Sequence, residues 1–187
     1  MSLFDIHKKQ DPKAAVKTAA LGVGFGGELK LINEKARMEI ENAVGNIAMG
    51  KHTMFFTKNS WTVVDLVLHI LKQTGKANVY AATWAIKDYP ARKLIAAKEM
   101  MMIDELHFKL DHRNESINSE VYHYLVKNAN SVVLAHCHAK LTIIQNEKWS
   151  VSICGSANYS ANPRAEAGVV ICDKICADKS IEWIKTI

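Results

Sequence analysis

From residue 51 onward, short apolar or β-branched runs alternate with longer segments of helical periodicity, and this alternation restricts the fold more than any other feature. Runs at 52–57, 78–84, 105–111 and 168–172 read as strands, and the segments at 60–73, 89–102, 119–128 and 178–185 read as helices. Strands separated by helical segments of about 10–15 residues indicate βαβ units. The expected class is therefore α/β: a mixed, largely parallel β-sheet flanked by helices on both faces. The mixed character comes from three closely spaced runs at 131–135, 139–144 and 150–154, the last pair hairpin-like. A chain of 187 residues is long enough for one domain with its own core. Residues 1–50 differ in character and are read as a partly helical N-terminal extension, with 51–187 as the domain. Within the extension Leu31, Ile32, Met38, Ile40, Ala43, Val44 and Ile47 form an apolar stripe, closed by Gly50.

Several function classes are excluded or disfavoured. No apolar run is long enough to span a membrane, and the start (MSLFDIHKKQDPK) has no apolar segment behind a basic one, so a cytoplasmic protein is expected. The four cysteines, Cys137, Cys154, Cys172 and Cys176, are expected as reduced thiols. Cys172 and Cys176 with His136 and His138 lack the spacing of a zinc site, so no metal is expected. Gly22, Gly24 and Gly27 satisfy GxGxxG, but no strand precedes them and no βαβ unit follows, so no dinucleotide cofactor is expected either. The net charge of +5 favours polyanionic partners, nucleic acid before anionic lipid.

The chemistry concentrates between residues 138 and 166. His138 and Lys140, two apart on an expected strand, share a face about 6.6 Å apart. Lysine neutralises phosphate oxygens while an imidazole nitrogen attacks phosphorus. HxK alone is weak: His7-Lys8-Lys9 and His107-Phe108-Lys109 match as well. The segment Gly155-Ser156-Ala157-Asn158 at the end of the next strand distinguishes His138 and Lys140. Its glycine lets backbone approach a ligand, and its hydroxyl and amide bind phosphate oxygens. Glu166, just before the following strand, is placed to accept the other imidazole proton of His138.

In these residues the chain resembles the phospholipase D superfamily, whose HxK(x)4D...GSxN motif is nearly reproduced, and resembles its small, single-motif, nuclease-like members in particular. FFTKNS, VYAATW, FKLDHRN and NPRAEAGVVI extend the likeness over residues 51–187. The resemblance implies a phospholipase D-like fold and a phosphohistidine intermediate. It makes His138 the nucleophile, has Lys140, Ser156 and Asn158 hold the phosphate, and gives Glu166 the orienting of His138. The motif's aspartate falls at Gln145.

Transfer through a histidine requires a second group to protonate the leaving oxygen, and this chain has one credible motif. A twofold homodimer would bring both His138 side chains to one phosphate. The expected function is a metal-independent phosphodiesterase, most readily a nuclease acting on DNA or RNA. The alternatives are an inactive nucleic-acid or phosphate-binding module and a phospholipid hydrolase. Residues 1–50 are a candidate docking segment for a partner protein.

Overall fold

The computed structural model describes residues 33–161 and 163–187. His7-Lys8-Lys9 and the glycines at 22, 24 and 27 lie outside the described residues. The elements run α1 (Glu34–Ala43), β1 (His52–Lys58), α2 (Val63–Thr74), β2 (Ala77–Thr83), α3 (Asp88–Glu99), β3 (Ile103–Asp111), α4 (Arg113–Ile117), α5 (Ser119–Asn128), β4 (Ser131–Ala135), β5 (Lys140–Gln145), β6 (Ser150–Gly155), β7 (Ala165–Cys172) and α6 (Lys174–Thr186). The described strands form one seven-stranded sheet in the order β1-β7-β6-β5-β2-β3-β4.

The fold is α/β with a mixed sheet, but the expectation of a largely parallel sheet fails. Four neighbouring pairs are antiparallel (β1 with β7, β7 with β6, β6 with β5, β5 with β2), and two are parallel (β2 with β3, β3 with β4). The βαβ alternation does keep β1, β2, β3 and β4 running the same way. What it could not reveal is that β5 and β7, which run oppositely, are interleaved with β6 between β1 and β2. A short connection makes this possible: the Asn146 amide N–H donates to the Trp149 carbonyl at 2.9 Å, closing the turn between β5 and β6.

Side-chain alternation along the strands divides the interior into two layers. Val79 and Ala81, Ile144, and Val151 and Ile153 face the larger core beneath α1, α2, α3 and α5. Tyr80 and Ala82, with Leu141 and Ile143, face Ala177, Ile181 and Ile184 of α6. Helix α2 is buried along nearly its whole length because it lies between the sheet and its neighbouring helices. Thr62 caps it, two residues after the start expected from the sequence: Thr62 and Asp65 form a reciprocal capping box, and Asp65 pairs with Lys93 at 2.8 Å. No described helix is long and apolar enough to cross a membrane.

Helix α1 is shorter than the apolar stripe suggests. Gly45, with φ of 64°, ends it five residues before Gly50, its N–H reaching back to the Ile40 carbonyl. Ala36, Ile40, Val44 and Ile47 are buried in the same cluster as α2 and the sheet. Ile40→Ala is therefore expected to lower the unfolding free energy by about 2–5 kcal/mol. Met38→Ala, at a residue 56% exposed on the same helix, should change it by less than about 0.5 kcal/mol. Urea denaturation of the two variants measures both.

Candidate active site

Strand direction decides where the polar residues gather. β1, β2, β3, β4 and β6 end at one edge of the sheet, and β5 and β7 begin there. Lys140 opens β5, Gly155 closes β6, and Ser156 and Asn158 follow. Glu166 is the second residue of β7, inside the strand rather than before it. All five expected site residues therefore lie at this edge, beyond the carboxyl ends of the parallel strands, where open α/β sheets bind ligands.

His138 itself is not on the strand. It sits in the connection between β4 and β5, exposed, one residue short of Ala139 and two short of the first paired residue. The pairing with Lys140 survives by a different route. The Lys140 Nζ donates to the His138 carbonyl at 2.7 Å and stands 3.4 and 3.5 Å from the two ring nitrogens. The connection is held by Asp111 at the end of β3, which is buried. Its carboxylate accepts from the Cys137 N–H at 3.3 Å and from the Arg113 N–H at 3.1 Å. Partial burial holds the Lys140 ammonium below the ordinary lysine value, against the opposing pull of Cys137 and Glu166.

Asn158 is oriented by a residue that nothing in the sequence singles out. Thr83 pairs with Lys140 across β2 and β5, and its fully buried hydroxyl lies 3.1 Å from the Ala85 carbonyl and 3.3 Å from the Asn158 Oδ1. With its oxygen engaged, the Asn158 amide presents N–H donors, the polarity a phosphate needs. Ser156 donates from Oγ to the Glu166 carboxylate, and its Oγ accepts from the Ala167 N–H at 3.1 Å. Glu166 thus orients Ser156 in this geometry, a contact not anticipated from sequence, where its partner was expected to be His138. Glu166 and Lys140 also line one small cavity of about 30 Å³ with Thr57, whose hydroxyl is buried without a partner. That volume suits a single water.

Gly155 has a different reason from the one expected. A Cβ there would lie 2.7 Å from the Ala167 carbonyl oxygen, and one at Gly168 would lie 2.7 Å from the Cys154 carbonyl oxygen and clash with the Phe55 ring edge. The two glycines pair directly across β6 and β7. They let these strands close beneath Phe55; neighbouring backbone, not ligand, fills the space.

Trp84, immediately after β2, joins the group. Its ring centroid is 5.6 Å from that of His138, 6.0 Å from the Lys140 Nζ and 5.0 Å from the Arg113 guanidinium carbon. Tyr159, another aromatic at this end of the chain, is fully buried. Its hydroxyl is 2.6 Å from that of Thr142, and burial pushes its ionisation well above the ordinary tyrosine value. His107 lies in β3, away from this edge, bridging Ser131 and Glu105 at 2.8 and 3.0 Å. Among the described residues no three His, Cys, Asp or Glu side chains gather as a metal site.

Gln145 ends β5 at the opposite edge from Lys140, about 17 Å away by the rise of a strand. Its amide donates to Asp178 of α6 at 2.7 Å and to the Ser150 hydroxyl at 3.3 Å. The residue at the motif's aspartate position thus fastens α6 to the sheet.

No protein-family model matches the chain, and no curated protein matches it in sequence. Among solved structures it is similar to a polyphosphate kinase from Porphyromonas gingivalis, at 11% identity and a TM-score of 0.46. That likeness covers 65% of this chain and 23% of the kinase.

Lys174 and Gln145 hold the Asp178 carboxyl below its ordinary value. Its stabilising contribution is present above the unfolded carboxylate pKa and is lost as pH falls through the depressed folded one. Gln145→Asp sets a second carboxylate against Asp178, so its melting temperature should fall below wild type at pH 7. Protonation removes the repulsion, so the gap should close toward pH 3. Thermal melts across that range read the effect.

Proposed function

We propose that the protein is a phosphodiesterase of the phospholipase D type, cleaving nucleic acid through a histidine that carries the phosphoryl group in a homodimeric site. The observation that carries this reading is the convergence of His138, Lys140, Ser156, Asn158 and Glu166 at one sheet edge, with His138 and Lys140 in contact. The motif they compose resembles HxK...GSxN, and each supplies what in-line displacement at phosphorus requires.

The roles follow from donor and acceptor chemistry. A neutral His138 imidazole attacks phosphorus, forming a P–N bond as the P–O bond to the leaving group breaks. The protonated His138 of a second copy gives its proton to the departing alkoxide, then, now neutral, takes one from water. That water attacks the P–N linkage, releasing the phosphate product and restoring both imidazoles. Lys140 and the Asn158 amide bind the non-bridging oxygens, where negative charge grows, and Ser156 joins them once its hydroxyl proton turns from Glu166 to the phosphate. Glu166 fixes the Ser156 rotamer through the hydrogen bond described above.

Gln145 lends little support to an inactive binding module. It stands at the far edge of the sheet, engaged with α6, and every residue assigned to the phosphate is present at the near edge. The net charge of +5 supports nucleic acid over phospholipid as the substrate class.

A chromogenic phosphodiester, single-stranded and duplex DNA, and RNA, incubated in EDTA, form the test. Wild type should cleave, and His138→Ala and His138→Asn should lose at least about 10³-fold in rate. Equal cleavage by all three proteins would overturn the assignment. Mixing wild type with an equal amount of His138→Asn, after subunit exchange, should leave about one quarter of the activity if both histidines serve one site, since only wild-type pairs work. Half the activity would point to independent sites. The alkaline loss of rate should set in at lower pH than an ordinary lysine dictates, because Lys140 sheds its proton early.

A further inference from the structure

Beside the phosphate-binding residues lies a second cleft of about 430 Å³, lined by Trp84, Lys87, Arg113, Asn118 and Asn158 among others. Asn158 belongs to both regions: its Oδ1 lies 3.3 Å from the hydroxyl of Thr83, which pairs with Lys140 across β2 and β5, and the residue also lines this cleft. The cleft therefore adjoins the proposed phosphate site through a shared residue.

Its walls are rigid where rigidity is useful. Asn114, buried at the junction of β3 and α4, donates to the Trp84 and Asp111 carbonyls at 2.9 Å each and accepts from the Ile86 N–H at 3.2 Å. The Lys87 N–H is bound to the Tyr159 carbonyl at 2.9 Å. The loop carrying Trp84 is thus fixed on both sides before any ligand arrives. Trp84 itself remains half-buried and lines the cleft.

The side chains around it have the opposite character. Arg113 rests on the indole 5.0 Å from the ring centroid, yet its side chain is 63% exposed and its ion pair with Asp111 is long, at 3.5 Å. Lys87 reaches over the cleft to the Asn118 Oδ1 at 2.9 Å, which leaves the Asn118 amide hydrogens to donate. An aromatic plate, two cations and two amide side chains form an environment for a flat, polar ring attached to phosphates.

We infer that this cleft is a nucleobase subsite, in which the base adjoining the cleaved phosphate stacks on Trp84 while Arg113 swings to a flanking phosphate. This rests on the phosphodiesterase reading for the identity of the neighbouring phosphate site. A base inside a duplex cannot reach a side-chain plate without leaving its stack, so the preferred substrate is a single strand.

Binding to the full chain carrying His138→Asn, which separates recognition from cleavage, provides the test. The probes are two fluorescent single strands of the same length, one with a thymine at a single position among abasic units and one wholly abasic, followed by anisotropy. The thymine strand should bind about 5- to 100-fold more tightly. Trp84→Phe should keep most of that preference, and Trp84→Leu should bring it to about one, whatever either does to absolute affinity. Equal binding of the two strands, or a preference that survives Trp84→Leu, would overturn the subsite. So would duplex bound as tightly as single strand with no effect of Trp84→Leu. Absence of cleavage by wild type would sink the phosphodiesterase reading but leave this ratio measurable.

Discussion

The antiparallel insertion of β5 between β2 and β6 is the constraint on which the rest of the structure depends. Its register pairs Thr83 with Lys140 on one side and Leu141 with Cys154 on the other. Side chains alternate along a strand, so a slip of one residue would turn Lys140 toward α6 and drive Leu141 into the polar edge. Ile143 would meanwhile leave the layer of Ala177, Ile181 and Ile184, and Ile144 the layer beneath α2. The register is thus held by apolar burial on two faces at once, and the position of Lys140 is a consequence of it.

Around that strand, buried polar groups serve geometry more than stability. Thr83, Asp111 and Asn114 are all nearly inaccessible, and each bonds a backbone or side-chain group of a loop that carries a site residue. Thr83 reaches Asn158, Asp111 reaches the loop before His138, and Asn114 reaches Trp84. A polar group without a partner would be costly in such surroundings, so each pairing is also enforced by desolvation. The loops at this edge are therefore held in place by buried hydrogen bonds.

How far the site was legible in the sequence can be judged residue by residue. His138, Lys140, Ser156, Asn158 and Glu166 were found by spacing and resemblance, and the structure gathers all five at one edge. For two residues the structure shows contacts that the sequence did not suggest, for local reasons. Gly155 accommodates the Ala167 carbonyl of the next strand, and Glu166 reaches Ser156, because cross-strand neighbours are invisible until the pairing is known. Trp84 carried only a weak signal, an aromatic at the end of a strand, and Thr83 none, since a buried threonine in a β run looks like any other. The sheet was expected to be largely parallel because helices separate its first four strands. Those strands do run the same way, but hairpin connections placed two reversed strands among them.

The sequence by itself determined the chemistry on offer and the kind of layers that would carry it. Apolar periodicity fixes which faces must be buried, and the residue types around positions 138 and 156 fix which groups can meet a phosphate. Only the tertiary structure decided which of those groups meet, because contacts between residues far apart in the chain depend on strand order and register. Those are settled by burying both faces of the sheet together, a collective balance that no short stretch of sequence contains.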